Sequence, residues 1–327
     1  MTEAAAARPA PEERSRRTSE RIGIACILAS ALALSLKGIL AKLVFAEGVE
    51  VATVLALRYA LALPMIVVVA LWLTGSPRAL AMRPADFLLA AAGGLVGYWL
   101  AGWLDFTALT MIDVSVERVL LFSFPIFVLL LEALRSRRPP PPRQIVALVA
   151  AEAGIVLVMG ASDLSLFLAN LEGGLYAIAS AFVFSLYFMV NQHLGPRLGS
   201  ARMATAAVAG AFLGTSLQFL LTEPFSALAM SGVAFGWIAA MALFCSVLPF
   251  LLVTEGIRRV GASRSALIST VGPVATLALA ALVLGETLTA GQLAGALMVF
   301  ASVLALEGRL PRRLSRILSL RTWKASA

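Results

Sequence analysis

The sequence predicts an all-α membrane protein with ten transmembrane helices arranged as two inverted five-helix repeats. Three observations predict it: long apolar runs, basic charge confined to alternate loops, and an internal repeat. Of the 327 residues, 60% are hydrophobic and 13% are charged, and the mean hydropathy is +0.93. A soluble domain carries about 25% charged residues. This chain has too few charges to cover a water-facing surface, which leaves lipid as the solvent. The apolar runs approach the roughly 20 residues that cross about 30 Å of hydrocarbon. They are continuous and rich in Ala and Leu rather than alternating, which argues for helices over a barrel.

In chain order, the expected helices cover Ile22–Phe45, Val51–Leu73, Phe87–Leu109, Val114–Leu134 and Ile145–Met159 in the first half. The second half holds Gly173–Asn191, Met203–Leu221, Val233–Val253, Ser265–Leu284 and Leu293–Leu306. Residues 1–21 are polar, with Glu12, Glu13 and Glu20 among arginines. They lack the apolar stretch of a cleavable signal peptide and are expected to form a disordered cytoplasmic N-terminus. The chain then divides into repeats at 22–160 and 173–306, followed by a basic cytoplasmic tail at 307–327. Pro139–Pro142 reads as a stiff connector inside the first half, and Gly160–Glu172 as the external seam between halves.

The net charge is +8 and the pI about 10.3. In a soluble protein that balance would suggest nucleic acid, but the placement of the charge points to the membrane. Of the 26 Lys and Arg, 22 lie in the N-terminal segment, the loops after helices 2, 4, 6 and 8, and the tail. The loops after the odd-numbered helices hold none. Positive residues stay on the cytoplasmic side, so both termini are expected inside, in an inner (plasma) membrane of bacterial type. A missed helix would scramble this alternation. In the tail, Leu310, Leu314, Ile317 and Leu318 can share a helical face opposite the arginines and Lys324, which predicts an amphipathic segment on the anionic inner leaflet.

The chain also repeats itself. At an offset of 148 residues without gaps, Ser115 falls on Ser263, Pro125 on Pro273, Ala133 on Ala281, Leu134 on Leu282 and Gln144 on Gln292. At an offset of 150, Ala29-Ser30-Ala31 and Ser35-Leu36 fall on Ala179-Ser180-Ala181 and Ser185-Leu186. Each half holds five helices, and an odd number forces the second half to insert upside down. Inverted repeats are a common construction of secondary transporters, with the substrate site near the midplane.

Ionisable side chains inside lipid cost about 2.5–3.5 kcal/mol each on insertion scales. Six lie deep in the predicted helices: Lys37, Arg58, Asp105, Glu117, Arg118 and Glu152. Three are cations and three are anions, so mutual pairing in a polar interior is expected. Glu117 and Arg118 are adjacent and point in different directions, so at least one of them is expected to need a partner on another helix, with Asp105 and Arg58 as candidates. On helix 3, the spacing of Gly94, Tyr98, Gly102 and Asp105 predicts one stripe. Pro125 and Pro273 each remove a backbone donor and free the carbonyl four residues earlier, at Leu121 and Ser269. They are the expected helix-break or gating positions, and packing kinks and cavity lining are equally open as readings. Lys37, Arg58 or Arg118 would hold a substrate carboxylate. Tyr98, Trp99, Trp103 and Tyr187 would pack the rest of the substrate, with Ser269 a further binding candidate. Asp105, Glu117 and Glu152 are the candidate proton-coupling carboxyls.

Two stretches then suggest a family. Residues 97–134 read GYWLAGWLDFTALTMIDVSVERVLLFSFPIFVLLLEAL, and residues 254–306 contain GP at Gly272-Pro273 and the turn GETLT at Gly285–Thr289. They resemble the EamA-type branch of the drug/metabolite transporter superfamily, with a departure at Phe124, where many relatives carry Tyr. The resemblance implies a ten-helix alternating-access carrier, often an exporter of amino acids, drugs or other small metabolites. Asp105, Glu117, Arg118 and Pro125 match its first-half motif, and Gly272, Pro273 and Glu286 its second. Glu286 is expected to cap an exterior turn.

The leading expectation is therefore a secondary carrier, with small-molecule substrate, lipid and protons as partners, no nucleic acid, and a homodimer left open. A membrane scaffold or accessory subunit is the alternative. An enzyme is not expected. The single His193 and the intramembrane Cys26 and Cys245 give neither a metal cluster nor a nucleophile with its base, and no P-loop is present. No cofactor or metal is expected. Reporter fusions after Gly160 should read the periplasm and those after Arg138 the cytoplasm; the opposite reading at either point refutes the topology.

Overall fold

The computed structural model describes residues 11–112, 114–121, 123–158, 171–269, 271–284 and 290–306. Its first half contains α1 (Pro11–Ser35), α2 (Lys37–Ala46), α3 (Val51–Thr74), α4 (Pro84–Gly94), α5 (Ala101–Met111), α6 (Val114–Leu121), α7 (Phe124–Ser136) and α8 (Pro142–Val158). The second contains α9 (Leu171–Leu198), α10 (Ser200–Thr222), α11 (Gly232–Ala242), α12 (Leu248–Val260), α13 (Ala262–Ser269), α14 (Gly272–Leu284) and α15 (Ala290–Leu306). No strand occurs among the described residues.

Local chemistry sets the boundaries. Gly75 stops α3 in the left-handed region at φ 70°, which glycine adopts without a Cβ penalty. Ser231 starts α11 by accepting from the Ala234 amide at 3.1 Å. Pro125 sits in the first turn of α7, where its missing N–H costs no bond within that helix. α4 and α5 join through a π-helical turn at Leu95–Leu100, and α11 and α12 through another at Leu243–Val247.

Among the described residues, six helical stretches are long and apolar enough to cross a membrane: Arg17–Ala46, Val51–Thr74, Pro84–Met111, Leu171–Leu198, Ser200–Thr222 and Gly232–Val260. Where the other four were expected, the helices are shorter or broken. Two are broken beside a proline, as α6–α7 and α13–α14. The remaining two, α8 and α15, span 17 residues each. Outward-facing side chains such as Val68, Trp72 and Leu297 are apolar and exposed, as a lipid-facing surface requires.

The sequence repeat has a structural counterpart. α4, α7, the π-turn at Leu95 and a short 3₁₀ turn at Pro77–Leu80 each begin 148 residues before α11, α14, the π-turn at Leu243 and the 3₁₀ turn at Phe225–Leu228. The packing exchanges in the same way. α1 packs on α12, α13 and α14, whereas α9 packs on α5, α6 and α7; α3 packs on its own counterpart α10, and α8 on α15. Lipid is as apolar as a leucine face, so close packing of small residues holds such helices together. Gly94 lies against the backbone of Ala207, and Gly210 against that of Ala91.

Some expectations need correction. Residues 11–21, expected to be disordered, form the start of α1. They are tied down there: Glu20 pairs with Arg264, and Arg259 donates to Ser19 Oγ at 3.0 Å. Helix 1 is interrupted at Leu36. The four-residue stripe on helix 3 does not hold, because the π-turn advances the register: Gly94 faces α10 while Gly97, Tyr98, Gly102 and Asp105 face inward. Residues 160–170 of the seam, Glu286 and the tail from 309 to 324 lie outside the described residues.

A methyl group at Gly94 would sit 1.9 Å from the Ala207 carbonyl oxygen, where only backbone movement makes room. Gly94→Ala should therefore lower the thermal midpoint of the purified protein by the equivalent of about 1–3 kcal/mol, although alanine is the better helix former. An unchanged or higher midpoint would show that α4 and α10 do not touch there.

Candidate functional site

The broken helices and π-turns surround one interior cavity. It holds about 790 Å³ of atom-free space, counting the part open to the outside. The first half contributes Leu34, Lys37, Arg58, Tyr98, Asp105 and Arg118 to its wall; the second contributes Phe184, Phe188, Phe250, Val253 and Ser269. Leu121 and Ser269, whose carbonyls the two prolines cannot bond, both line it. Freed backbone groups at membrane depth are tolerated where they face a cavity.

The charges gather on one side. The Lys37 ammonium donates to Asp105 Oδ2, joining α2 to α5. The Glu117 carboxyl lies beside that of Asp105. Arg118 Nε stands 3.2 Å from Glu117 Oε2, so these adjacent residues do pair with each other, contrary to expectation. The contact is one of charge rather than a hydrogen bond: Arg118 Nε and Nη2 and both Glu117 oxygens lack a hydrogen-bond partner among the described residues. Unused donors on a buried guanidinium are costly unless something arrives to accept from them. Arg58 does not partner this group. It donates through Nε to Ser246 Oγ at 2.7 Å and through Nη2 to the Cys245 carbonyl at 2.9 Å, both on the second π-turn.

Four expected residues stand apart from the cavity wall. Trp99 donates Nε1 to Gln218 at 2.7 Å, packed between helix 3 and α10. Trp103 is half-buried against the core without reaching the cavity. Tyr187 is buried behind Tyr98, with ring centroids 4.4 Å apart. Its hydroxyl accepts from Asn191 Nδ2 at 3.1 Å and lies 3.3 Å from Thr254 Oγ1. Glu152 sits on α8, which packs on α15 away from the charge cluster. The expected set of three cations and three anions is thereby reduced: Lys37 and Arg118 meet Asp105 and Glu117, while Arg58 and Glu152 stand outside the cluster.

Other lining residues were not anticipated. Tyr59, Phe124, Phe184, Phe188 and Phe250 form an aromatic wall, with Tyr98 stacked on Phe250 at 3.8 Å between centroids. In a chain of apolar helices, nothing local separates an inward phenylalanine from one facing lipid. Ser30 and Ser180 also line the cavity. Ser30 Oγ donates to the Pro249 carbonyl at 3.0 Å, and Ser180 Oγ to the Ala101 carbonyl at 2.7 Å. The signal for this pair lay in the repeat: donors 150 residues apart meet acceptors 148 apart, each acceptor just beyond a π-turn.

The repeat positions of Lys37, Asp105, Glu117 and Arg118 are Tyr187, Val253, Ser265 and Ala266. The scaffold is thus symmetric while its chemistry is not. The EamA-like transporter family pattern matches residues 21–160 and 171–307. The chain belongs to the EamA-like transporter family, within the drug/metabolite transporter superfamily. It is a multi-pass membrane protein of a transporter family, which points away from an enzyme. The chain is similar to the "Uncharacterized transporter YcbK" of Bacillus subtilis (strain 168), with 32% identity over 304 residues, covering 91% of this chain and 96% of the relative. A solved crystal structure has the same fold, with a TM-score of 0.70 at 18% identity over 91% of this chain and 99% of that one.

In this EamA-like transporter the Lys37–Asp105 pair can be tested for its structural weight. Removing one partner of a buried ion pair costs about 3–5 kcal/mol. Asp105→Asn and Lys37→Met should each lower the thermal midpoint strongly, and Lys37→Met/Asp105→Asn should recover most of the loss. Additive losses in the double variant would show that the two side chains do not depend on each other.

Proposed function

We propose that this chain is a ten-span secondary carrier that exports small amphipathic metabolites bearing a carboxylate, amino acids and drug-like molecules among them, by alternating access. The observation that carries the reading is the two-sided cavity. On one side, Lys37, Arg58 and Arg118 outnumber Asp105 and its neighbour Glu117; on the other stand Phe184, Phe188, Phe250 and Val253. An anionic head would take up the unused donors of Arg118, and an apolar body would cover the aromatic wall. The two five-helix halves, the exchange of packing between them and the alternation of basic loops support insertion as inverted repeats in an inner membrane, with both termini cytoplasmic. Export is the direction the family resemblance supports.

Coupling to protons rests on Asp105 and Glu117. Two carboxylates in contact repel each other, and a shared proton removes the repulsion. A substrate carboxylate that draws Lys37 or Arg118 away changes the charge balance around that proton, which links occupancy to protonation. Glu152 stands outside this circuit and serves as a comparison. Pro125 and Pro273 place the breaks of α6–α7 and α13–α14 beside the cavity, where rearrangement of either half would open or close it.

Counterflow in proteoliposomes tests the substrate class. Amphipathic carboxylates should exchange, organic cations of the same size should not, and Arg118→Gln should abolish exchange while the protein remains folded. Exchange of the cations alone would overturn the assignment. For coupling, Glu117→Gln should lose transport driven by a pH gradient yet keep counterflow, whereas Glu152→Gln should keep both. Full gradient-driven transport in both Glu117→Gln and Asp105→Asn would show that the carboxyls serve structure only.

A further inference from the structure

A second concentration of charge lies away from the cavity, at the ends of the helices. Arg83, Arg197 and Arg202 line an open crevice together with Ala81, Met82, Asp86 and Leu198. Arg83 immediately precedes α4, Leu198 ends α9, and Arg202 lies in the first turn of α10. These are the ends of spanning helices, so the crevice opens at the level of lipid headgroups. Trp72, 80% exposed in the last turn of α3, lies at the same end of the neighbouring helix, where tryptophan favours the membrane interface.

Elsewhere at this end, three basic side chains are matched within the protein. Arg258 and Arg259 hold Glu255 at 2.6 and 2.5 Å, and Arg264 holds Glu20. In the crevice, three guanidinium groups face one carboxylate. Arg197 reaches Asp86 at 3.3 Å. Arg202 Nε donates at 2.5 Å to the Ala79 carbonyl, a neutral partner that leaves its charge unmatched. Arg83 has no ion pair or side-chain hydrogen bond among the described residues. The positive-inside bias accounts for arginines on this side of the membrane. It does not account for three of them converging from both halves of the chain on a single recess with an apolar floor.

We propose that this crevice binds the phosphate headgroup of an anionic phospholipid from the cytoplasmic leaflet, which thereby bridges the two repeats. Guanidinium groups match phosphate oxygens in geometry and charge, and basic recesses between helices on the cytoplasmic side suit such headgroups. Met82 and Leu198 give the start of the acyl chains an apolar surface. Arg83 and Asp86 come from the first half and Arg197 and Arg202 from the second, so an occupied crevice holds the halves together at this end.

The test uses the full-length protein, delipidated in mild detergent, with phosphatidylglycerol, phosphatidylcholine of the same chains, and inorganic phosphate as separate probes. Native mass spectrometry reads retained lipid and a melting curve reads stability. Phosphatidylglycerol should be retained in preference to phosphatidylcholine and should raise the midpoint. Arg83→Gln should weaken its binding about fivefold, the factor contributed by one basic residue at a membrane surface, and Arg83→Gln/Arg202→Gln roughly 25-fold. Arg258→Gln, outside the crevice, should leave binding unchanged. Unchanged phosphatidylglycerol binding in Arg83→Gln, whose native side chain holds nothing in the fold, overturns the proposal even if the double variant unfolds. So does an equal shift with inorganic phosphate alone, or equal retention of phosphatidylcholine.

Discussion

A lysine and an aspartate carried into hydrocarbon must meet, because neither can be solvated there alone. Lys37 and Asp105 meet between α2 and α5, and much of the interior follows from that requirement. Glu117 on α6 stands beside Asp105 and pairs with its neighbour Arg118, so four ionisable groups gather where α2, α5 and α6 pack together. The interior must then stay polar enough to hold five ionisable groups, which prevents the helices from closing over it. A buried ion network of this kind gives little net stability. Its effect is to set which helices approach and to keep a space between them.

That space is framed by a scaffold that repeats. α1 and α9 each pack on the third and fourth helices of the opposite half, and Ser30 and Ser180 make equivalent bonds across the seam. The charged groups do not repeat: where the first half has Lys37, Asp105, Glu117 and Arg118, the second has Tyr187, Val253, Ser265 and Ala266. Symmetric packing supplies two equivalent walls. Divergent side chains then make one wall charged and the other apolar.

Departures from regular helix serve the same space. The π-turns at Leu95–Leu100 and Leu243–Val247 and the breaks beside Pro125 and Pro273 all border the cavity or its charged residues. Each exposes a backbone group that would be costly in lipid but is usable in a polar interior. Arg58 shows the use: the Cys245 carbonyl and Ser246 hydroxyl on the second π-turn hold its guanidinium in place.

The division of the chain into apolar segments, the internal repeat and the deep charged residues were legible in the sequence. Lipid solvation, positive-charge retention and the cost of a buried ion act on each segment largely by itself, so composition and spacing express them directly. Lys37, Arg58, Tyr98, Asp105, Arg118 and Ser269 were readable as interior candidates for the same reason, and all of them line the cavity. Tertiary structure decided which groups meet. Trp99 turned toward α10 and Tyr187 fell behind Tyr98 because the π-turn changes the register of helix 3 and the Gly94–Ala207 contact sets how it rotates. Glu152 left the charge cluster because α8 packs on α15. Helix rotation depends on small-residue contacts between segments far apart in sequence. Within uniformly apolar helices, no local pattern distinguishes the side that faces a cavity from the side that faces lipid.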